Sequence, residues 1–242
     1  MCRNLEKVAN TSKSGAIVCS ETPILLVGGG QIGPDDMNLA LNRVKTLVAA
    51  DSGGAAILAE GRVPDAVIGD FDSLERVSRE LIPPERLFPI REQDSTDFDK
   101  ALRNIEAPLV LGLGFLGARV DHQLAVFNAL VRYADRPCLL LGEREVIFHA
   151  PPRIRLELEP GSVVSLFPLA RVTGRSEGLE WPIEGLVFEP DGQVGTSNRA
   201  TGAVALEVDA PGLLVMVPRG ALDQVMQAFL SDRTGRWPAR AG

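Results

Sequence analysis

The strongest constraint on the fold is a change of hydrophobic period near residue 150. Up to about residue 148, short apolar runs alternate with helical patterns, which is typical of an open α/β fold with a mostly parallel sheet. After the segment HAPPR at 149–153, apolar and polar residues alternate and Pro-Gly and Asp-Gly turns recur, which indicates antiparallel strands. The sequence therefore predicts a tail over 1–22, an α/β domain over 23–150, and an antiparallel β-sandwich domain over 151–242 that ends in a helix at Ala221–Leu230.

The first half carries six predicted strands and four predicted helices. The predicted strands are Pro23–Val27, Thr46–Ala49, Ala66–Ile68, Leu87–Phe88, Pro108–Leu113 and Cys138–Leu141. The predicted helices are Met37–Val44, Gly54–Glu60, Asp97–Ile105 and His122–Tyr133. In such sheets, ligands bind in the crevice at the carboxyl ends of the strands, so residues that directly follow strands are the first candidates for a site.

Composition and charge exclude several classes of protein. The chain has 242 residues and a net charge of −7 with no run of five or six like charges, which argues against a nucleic-acid-binding surface. Cys2, Cys19 and Cys138 lie far apart without CxxC spacing, which favours reduced thiols over disulfides or a zinc site. No apolar run is long enough for a signal peptide or a membrane span, so we expect a cytoplasmic protein without a membrane partner.

Two aspartates follow the predicted strand at 66–68, in the stretch PDAVIGDFDSL. In extended backbone, Asp70 and Asp72 would point to the same side. Two such charges about 6 Å apart repel by roughly 3 kcal/mol at an effective dielectric near 20. A divalent cation would offset that repulsion, whereas a solvated Asp-rich turn is the alternative interpretation.

A second acidic group lies in EQDSTDFDKAL at 92–102. Thr96 is a plausible helix N-cap, and Asp97 and Asp99 in the first turn suit the helix dipole. A heavily capped helix start would explain the threonine and one acid. It does not account for Asp94, Asp97 and Asp99 together.

Two further junctions between a strand and a helix also carry aspartate. In LGLGFLGARVDHQ, Arg119 beside a glycine-rich turn is a plausible phosphate site, while Asp121 could be an ordinary N-cap and His122 is predicted to have no chemical role. In AADSGGAA, Asp51 follows a strand and precedes a helix. Because such junctions share one edge of a parallel sheet, we expect these acids to converge.

The loop GGGQIG at 28–33 offers a competing interpretation. It fits the G-x-G-x-x-G pattern of dinucleotide-binding loops, and Asp51 downstream could bind a ribose hydroxyl. The alternative function is therefore an NAD-binding oxidoreductase. That function would leave the other aspartates without a role, since hydride transfer needs no acidic cluster.

The motifs ADSGGA, PDAVIGDFDS, DSTDFDKAL and GARVDH, followed by SLFPL, GLEWPIEG and TSN, together resemble the thiamine pyrophosphokinase family over roughly residues 23–218. The resemblance implies an α/β nucleotide-binding domain, a β-sandwich domain and a homodimer with thiamine bound between subunits. It also implies Mg²⁺-dependent transfer of diphosphate from ATP to the thiamine hydroxyl, with release of AMP.

The resemblance also assigns roles to residues at matching positions. It implies that Asp70, Asp72 and Asp97 hold Mg²⁺ and the triphosphate, and we choose Asp97 as the general base. The further polar positions of the site are Asp51, Gln93, Asp94 and Lys100 for nucleotide binding, Arg119 and Asp121 for catalysis, and Ser197 and Asn198 for the thiamine pocket.

Two positions depart from the pattern of that family. Ala118 stands where a glycine is common, and Val215 stands where animal enzymes place a tryptophan against thiamine. Trp181 could replace that tryptophan, although we expect it to be a core residue of a strand. A related pyrimidine or pterin alcohol remains an alternative acceptor, and a metal- or nucleotide-sensing module is an alternative without catalysis.

Overall fold

The protein, in a computed structural model that describes residues 15–117 and 119–239, divides into two compact units. The first unit is Met1–Ala129 and the second is Leu130–Gly242. Most of the predicted tail over 1–22 and Ala118 lie outside the described residues. The domain boundary that the sequence predicts at residue 150 stays a prediction.

The first unit is built around five parallel strands. Its strands are β1 (Val18–Cys19), β2 (Ile24–Val27), β3 (Thr46–Ala50), β4 (Ala66–Gly69), β5 (Leu87–Pro89), β6 (Ile105–Glu106) and β7 (Val110–Leu113). Its helices are α1 (Asp36–Leu41), α2 (Gly53–Ala59), α3 (Arg76–Glu80), α4 (Asp97–Arg103) and α5 (Val120–Arg132), which crosses the boundary between the units. The sheet has the order β7-β2-β3-β4-β5, and β1 pairs separately with β6.

The strand order creates a switch point between β2 and β7. From β2 the chain adds β3, β4 and β5 on one side, and then returns to place β7 on the other side of β2. All residues of β2 and β4 are buried, as helices on the sheet require. Because ligands of open α/β sheets bind where the strand order reverses, the carboxyl ends of β2 and β7 mark the expected crevice.

The second unit is antiparallel. Its elements are β8 (Cys138–Leu141), β9 (Glu145–His149), β10 (Arg153–Leu156), β11 (Val163–Pro168), β12 (Gly174–Leu179), β13 (Gly195–Val208), β14 (Leu213–Pro218) and α6 (Leu222–Leu230). The strand order is β8-β9-β14-β11-β13-β10, and β12 also pairs with β13. The first part of β13 pairs with β11 and its second part with β10 and β12, so this long strand serves two sets of partners.

The fold class expected from the sequence is confirmed, and the differences are local. Helix α4 ends at Arg103 instead of continuing to Ile105, because Ile105 pairs with Val18 in β6. Ile105 nevertheless stays buried, as the apolar stripe predicted for this segment requires. Among the described residues, no helix combines the length and the apolar character needed to cross a membrane.

Adjacent glycines at the start of α2 provide a matched test of this packing. A Cβ atom on Gly53 would lie 2.0 Å from the backbone oxygen of Val27, whereas one on Gly54 would meet only side chains at 3.4 Å or more. Gly53→Ala should therefore lower the free energy of unfolding by about 2 kcal/mol, since backbone cannot yield as a side chain can. Gly54→Ala should change it little or raise it by about 0.5 kcal/mol, because alanine suits a helix better. Urea denaturation of the two variants checks this, and equal effects would contradict it.

Candidate functional site

Segments that follow five parallel strands surround one pocket of about 480 Å³. The residues that line it are Gly28, Gly29, Gly30, Ala50, Ser52, Asp70, Ser73, Gln93, Ser95, Thr96, Asp97, Phe98, Lys100, Gly114, Phe115, Arg119, His122 and Val126. All of them belong to the first unit. The convergence that the strand junctions predict is therefore present at this edge of the sheet.

The pocket contains many of the predicted site residues but not all of them. The predicted residues that line it are Asp70, Gln93, Asp97, Lys100 and Arg119. Asp51 and Asp72 lie beside it, each with a carboxylate oxygen within 4.8 Å of one on Asp70. Asp94 is exposed and does not line the pocket.

The carboxylates of Asp70 and Asp72 meet across a turn, not along an extended strand. β4 ends one residue earlier, and Phe71 between them has a φ of +64°. The backbone amide of Asp72 donates to Asp70 Oδ1 at 3.3 Å, and Ser73 Oγ donates to Asp72 Oδ1 at 2.8 Å. The expected proximity is present, but our reason for it, alternation in extended backbone, was wrong.

Asp51 completes a group of three carboxylates. One oxygen each from Asp51, Asp70 and Asp72 all lie within 4.8 Å of one another. Asp51 is only 1% exposed, and its Oδ2 accepts from the Ser73 amide at 3.1 Å, while its buried Oδ1 has no hydrogen-bond partner among the described residues. Burial, together with the neighbouring carboxylates, raises the pKa of Asp51 to about 6. Asp51 therefore brings to this group a carboxylate oxygen that no hydrogen bond from the described residues occupies.

Lys100 joins this group to Asp97. Its side chain is 2% exposed, and its Nζ lies 2.7 Å from Asp70 Oδ2 and 3.4 Å from Asp97 Oδ1. Burial raises the pKa of Asp97, and Lys100 counteracts this in part. Asp97 is not a member of the three-carboxylate group, so its predicted role as a metal ligand stays a prediction.

Helix α4 begins as the sequence predicts. Thr96 is the N-cap, and its Oγ1 accepts from the Asp99 amide at 3.3 Å. This cap directs the first turn of the helix, with Asp97 and Lys100, toward the pocket. The buried Asp99 lies behind it, with its Oδ1 3.8 Å from Arg103 Nη1.

Arg119 and Asp121 form a bidentate ion pair at the pocket rim. Arg119 Nη2 lies 2.6 Å from Asp121 Oδ2, and its Nε donates to Oδ1 at 3.1 Å. The arginine holds the pKa of Asp121 below its usual range. Because α5 begins at Val120, Asp121 lies inside the first turn and the N-cap interpretation is wrong. His122, predicted to have no chemical role, lines the pocket.

The loop GGGQIG packs directly against the loop that follows β7. The Gly30 amide donates to the Gly114 carbonyl at 2.9 Å, and a Cβ atom on Gly30 would approach that oxygen to 2.6 Å. Close packing of two loops therefore explains why glycine is required. α1 begins only at Asp36, so this loop does not open a helix as a dinucleotide-binding loop does.

The sequence interpretation missed several residues that line the pocket. Ser52 and Ser73 follow the predicted aspartates within the same junctions, a signal that could have identified them. Phe115 follows the glycine-rich end of β7, and its ring lies edge-on against Phe98 with centroids 4.7 Å apart. Phe98 belongs to the buried stripe of α4 and also lines the pocket. The helical period of the sequence predicts the first of these roles and gives no signal for the second.

The two predicted residues of the second unit lie on an irregular part of β13. Ser197 has a φ of +63° where the register with β11 shifts, and its amide donates to Ser165 Oγ at 3.0 Å. The buried Asn198 accepts from the Trp181 amide at 3.1 Å and donates to the Trp181 carbonyl at 2.7 Å. Trp181 is 55% exposed, so the expectation of a core residue was wrong. Val215 is fully buried.

Two family models match the chain. The model described as thiamin pyrophosphokinase, catalytic domain, matches residues 37–140. The model described as thiamin pyrophosphokinase, vitamin B1 binding domain, matches residues 152–213.

A curated relative points to the same family. Thiamine pyrophosphokinase 1 of Arabidopsis thaliana is 27% identical over 154 residues, which cover 56% of this chain and 58% of that protein. The chain therefore spans less than two thirds of the length of this relative.

Two solved structures share the fold. Thiamin pyrophosphokinase from Geobacillus thermodenitrificans has a TM-score of 0.66 at 24% identity, with 81% of this chain and 97% of that chain covered. The enzyme from Candida albicans has a TM-score of 0.68 at 15% identity, with 89% and 97% covered.

The raised pKa of Asp51 predicts a pH dependence of stability in the absence of divalent cations. The folded state holds this proton more tightly than the unfolded chain, so the contribution is complete below about pH 4 and is lost as the pH rises through about 6. At about 1.4 kcal/mol per pKa unit, the loss amounts to about 3 kcal/mol. Urea denaturation at pH 4, 5, 6 and 7 should show this loss in the wild type but not in Asp51→Asn.

The exposed Asp232 offers the matched control, because Asp232→Asn makes the same chemical change far along the chain. This variant should keep the pH profile of the wild type. Parallel profiles for the wild type and Asp51→Asn would contradict the prediction.

Proposed function

This chain belongs to the thiamin pyrophosphokinase family, since that family's models match residues 37–140 and 152–213, and we propose that it transfers the diphosphate group of ATP to the hydroxyl of thiamine. The products are thiamine diphosphate and AMP. The predicted homodimer and cytoplasmic location stay predictions.

One observation carries the proposal: a single pocket combines clustered carboxylates with cationic side chains. Asp70 lines the pocket with Asp51 and Asp72 close beside it, and Lys100 and Arg119 also line it. A polyphosphate cannot approach carboxylates unless cations intervene. Phosphoryl transfer requires this combination: carboxylates that hold a metal ion, and cationic side chains that contact the phosphates.

The carboxylate group fits a divalent cation. One oxygen from each of the three residues lies within 4.8 Å of the other two, and Asp51 Oδ1 is buried without a hydrogen-bond partner in the part of the chain that the structure describes. Mg²⁺ prefers oxygen ligands and usually takes one or two carboxylates together with phosphate oxygens. We propose that Asp51, Asp70 and Asp72 hold Mg²⁺, with Asp97 as a further candidate. Bound Mg²⁺ would neutralise charge on the triphosphate.

The chain's own residues would then orient the reactants and move one proton. The thiamine hydroxyl oxygen attacks the β-phosphorus, the bond from that phosphorus to the oxygen of the α-phosphate breaks, and AMP leaves. The Arg119 guanidinium, exposed at the rim, would exchange Asp121 for phosphate oxygens and stabilise the charge on the leaving group. Gln93, also at the pocket, would donate to the nucleotide.

We propose that the hydroxyl proton passes to the Asp97 carboxylate. Burial raises the pKa of Asp97, which makes it a better base than an exposed aspartate. Lys100 Nζ lies 3.4 Å from Asp97 Oδ1, and this ammonium group would keep the carboxylate ionised until the proton arrives. Lys100 is itself buried between two carboxylates, so its main effect would be on their charge and position.

For the acceptor, we propose that Ser197 and Asn198 contribute to thiamine binding. They lie in the segment that matches the vitamin B1 binding domain model, and the positive φ of Ser197 is the kind of local strain that clusters at ligand sites. Asn198 would act by fixing the backbone beside the exposed Trp181.

The alternatives have less support. An NAD-binding oxidoreductase is not favoured, since the glycine loop is explained by its contact with the β7 loop and the family models indicate a diphosphokinase. Two further alternatives are a pyrimidine or pterin alcohol as the acceptor and a sensing module without catalysis. An activity assay distinguishes both from the proposal.

The assay supplies ATP, Mg²⁺ and thiamine, and we expect AMP and thiamine diphosphate in equal amounts. Asp72→Asn removes a proposed metal ligand and should lower kcat by about a hundredfold or more. Asp232→Asn makes the same change at an exposed site and should not affect the rate. Binding of ATP without release of AMP would support the sensor, and turnover of another alcohol alone would reassign the acceptor.

The proposed homodimer would use the outward face of β11. Val163 and Phe167 stand on this face, 44% and 36% exposed, while the alternate residues of the strand are buried. Aspartate at both positions should shift the protein from dimer to monomer in sedimentation velocity at micromolar concentration, because burial of charge in an apolar contact is costly. Val63→Asp, at a valine 43% exposed in the first unit, is the matched control and should leave the dimer intact. A monomeric wild type would refute the proposal.

A further inference from the structure

The segment 92–96 supplies the pocket with three of its five residues. Gln93, Ser95 and Thr96 line the pocket, whereas Asp94 between them is exposed. The segment has no regular secondary structure, since β5 ends at Pro89 and α4 begins at Asp97. Its conformation therefore depends on side-chain contacts.

An ion pair anchors the start of this segment. Glu92 Oε1 accepts from Arg103 Nη2 in the last turn of α4, and the same oxygen accepts from Ser95 Oγ. One carboxylate therefore ties the segment to the helix that follows it and also closes the segment on itself. These contacts lower the pKa of Glu92, the hydrogen bond from Ser95 most of all.

The other end of the segment is anchored independently. Thr96 caps α4, and Lys100 in the next turn is buried against Asp70 and Asp97. Loss of the Glu92 contacts would therefore release Gln93 and Ser95 while the carboxylates and Lys100 keep their places. This separation allows an effect on nucleotide binding to be distinguished from an effect on chemistry.

We propose that Glu92 and Arg103 are a pair of positioning residues that holds Gln93 and Ser95 in the geometry that binds the polyphosphate nucleotide. The proposal rests on the proposed function, because it assumes that the pocket binds ATP. Neither residue touches the pocket, since both are absent from its lining. Their effect reaches the nucleotide only through the segment between them.

The exposure of the pair argues against a mainly structural role. The side chains of Glu92 and Arg103 are 34% and 30% exposed. Ion pairs that retain this much contact with water contribute little to global stability. The Glu92 carboxylate nevertheless restricts the segment 92–96, because it accepts one hydrogen bond from within the segment and one from the helix that follows it.

The test substitutes Glu92 and measures steady-state kinetics with ATP, Mg²⁺ and thiamine. Glu92→Ala should raise KM for ATP about tenfold, the equivalent of one charge-assisted hydrogen bond, and leave kcat within about twofold. Glu92→Gln keeps an acceptor for Ser95 and Arg103, and should recover part of the loss. The melting temperature should fall by no more than about 2 °C in either variant.

Glu80→Ala is the matched control. It removes a carboxylate from the exposed ion pair with Arg76 in α3, where neither residue lines the pocket. It should leave KM for ATP unchanged. Hydrogen–deuterium exchange over residues 90–97 should accelerate in Glu92→Ala and not in Glu80→Ala.

The outcomes decide the two proposals separately. An unchanged KM, an equal rise in the control, or a fall in kcat at constant KM would overturn the positioning role. If the wild type transfers no diphosphate, the proposed function fails, and calorimetric titration with Mg²⁺·ATP then tests the pair. Weaker ATP binding and faster exchange in Glu92→Ala alone would still support positioning, and equal values would refute it.

Discussion

A buried ammonium group between clustered carboxylates is the interaction on which the pocket depends. Lys100 is 2% exposed, and it contacts Asp70 from the turn after β4 and Asp97 from its own helix. Without this cation, carboxylates this close would repel one another by several kcal/mol at protein dielectrics, and the lysine alone would be an unpaired buried charge. The pairing therefore ties α4 to the edge of the sheet. Asp51, which completes the group with Asp70 and Asp72, keeps one oxygen without a hydrogen bond from the described residues.

Backbone strain lies at the same positions as the candidate chemistry. Among the described residues, the non-glycine residues with positive φ are Asp51, Phe71 and Ser197. Each lies in or beside a predicted site segment, and such conformations cost about 1–2 kcal/mol per residue. The packing around them, such as Gly69 against Asp51 and the buried ring of Phe71, maintains conformations that the local sequence would not choose.

The predictions that succeeded rest on local or periodic signals. The N-cap at Thr96 needs only a hydroxyl before an amphipathic stretch, and the strand ends before Asp51 and Asp70 need only an apolar run and a glycine or aspartate. The predictions that failed assumed regular backbone where it is irregular. Alternation did not continue past β4, and Trp181 in an apparent strand is exposed because the chain leaves β12 two residues earlier.

By itself, the sequence determined the two kinds of sheet, the order of the elements and the set of junctions that carry acids. These follow from hydrophobic period and turn chemistry, which act between residues near one another in the chain. Only the tertiary structure decided which carboxylates come together. Asp51, with Asp70 and Asp72, forms the group, while Asp97 turns to Lys100. The reason is that contacts between segments distant in the chain, such as those of Asp51 with Asp70 and Asp72, depend on strand order and on the angle of each turn, and no local pattern records either.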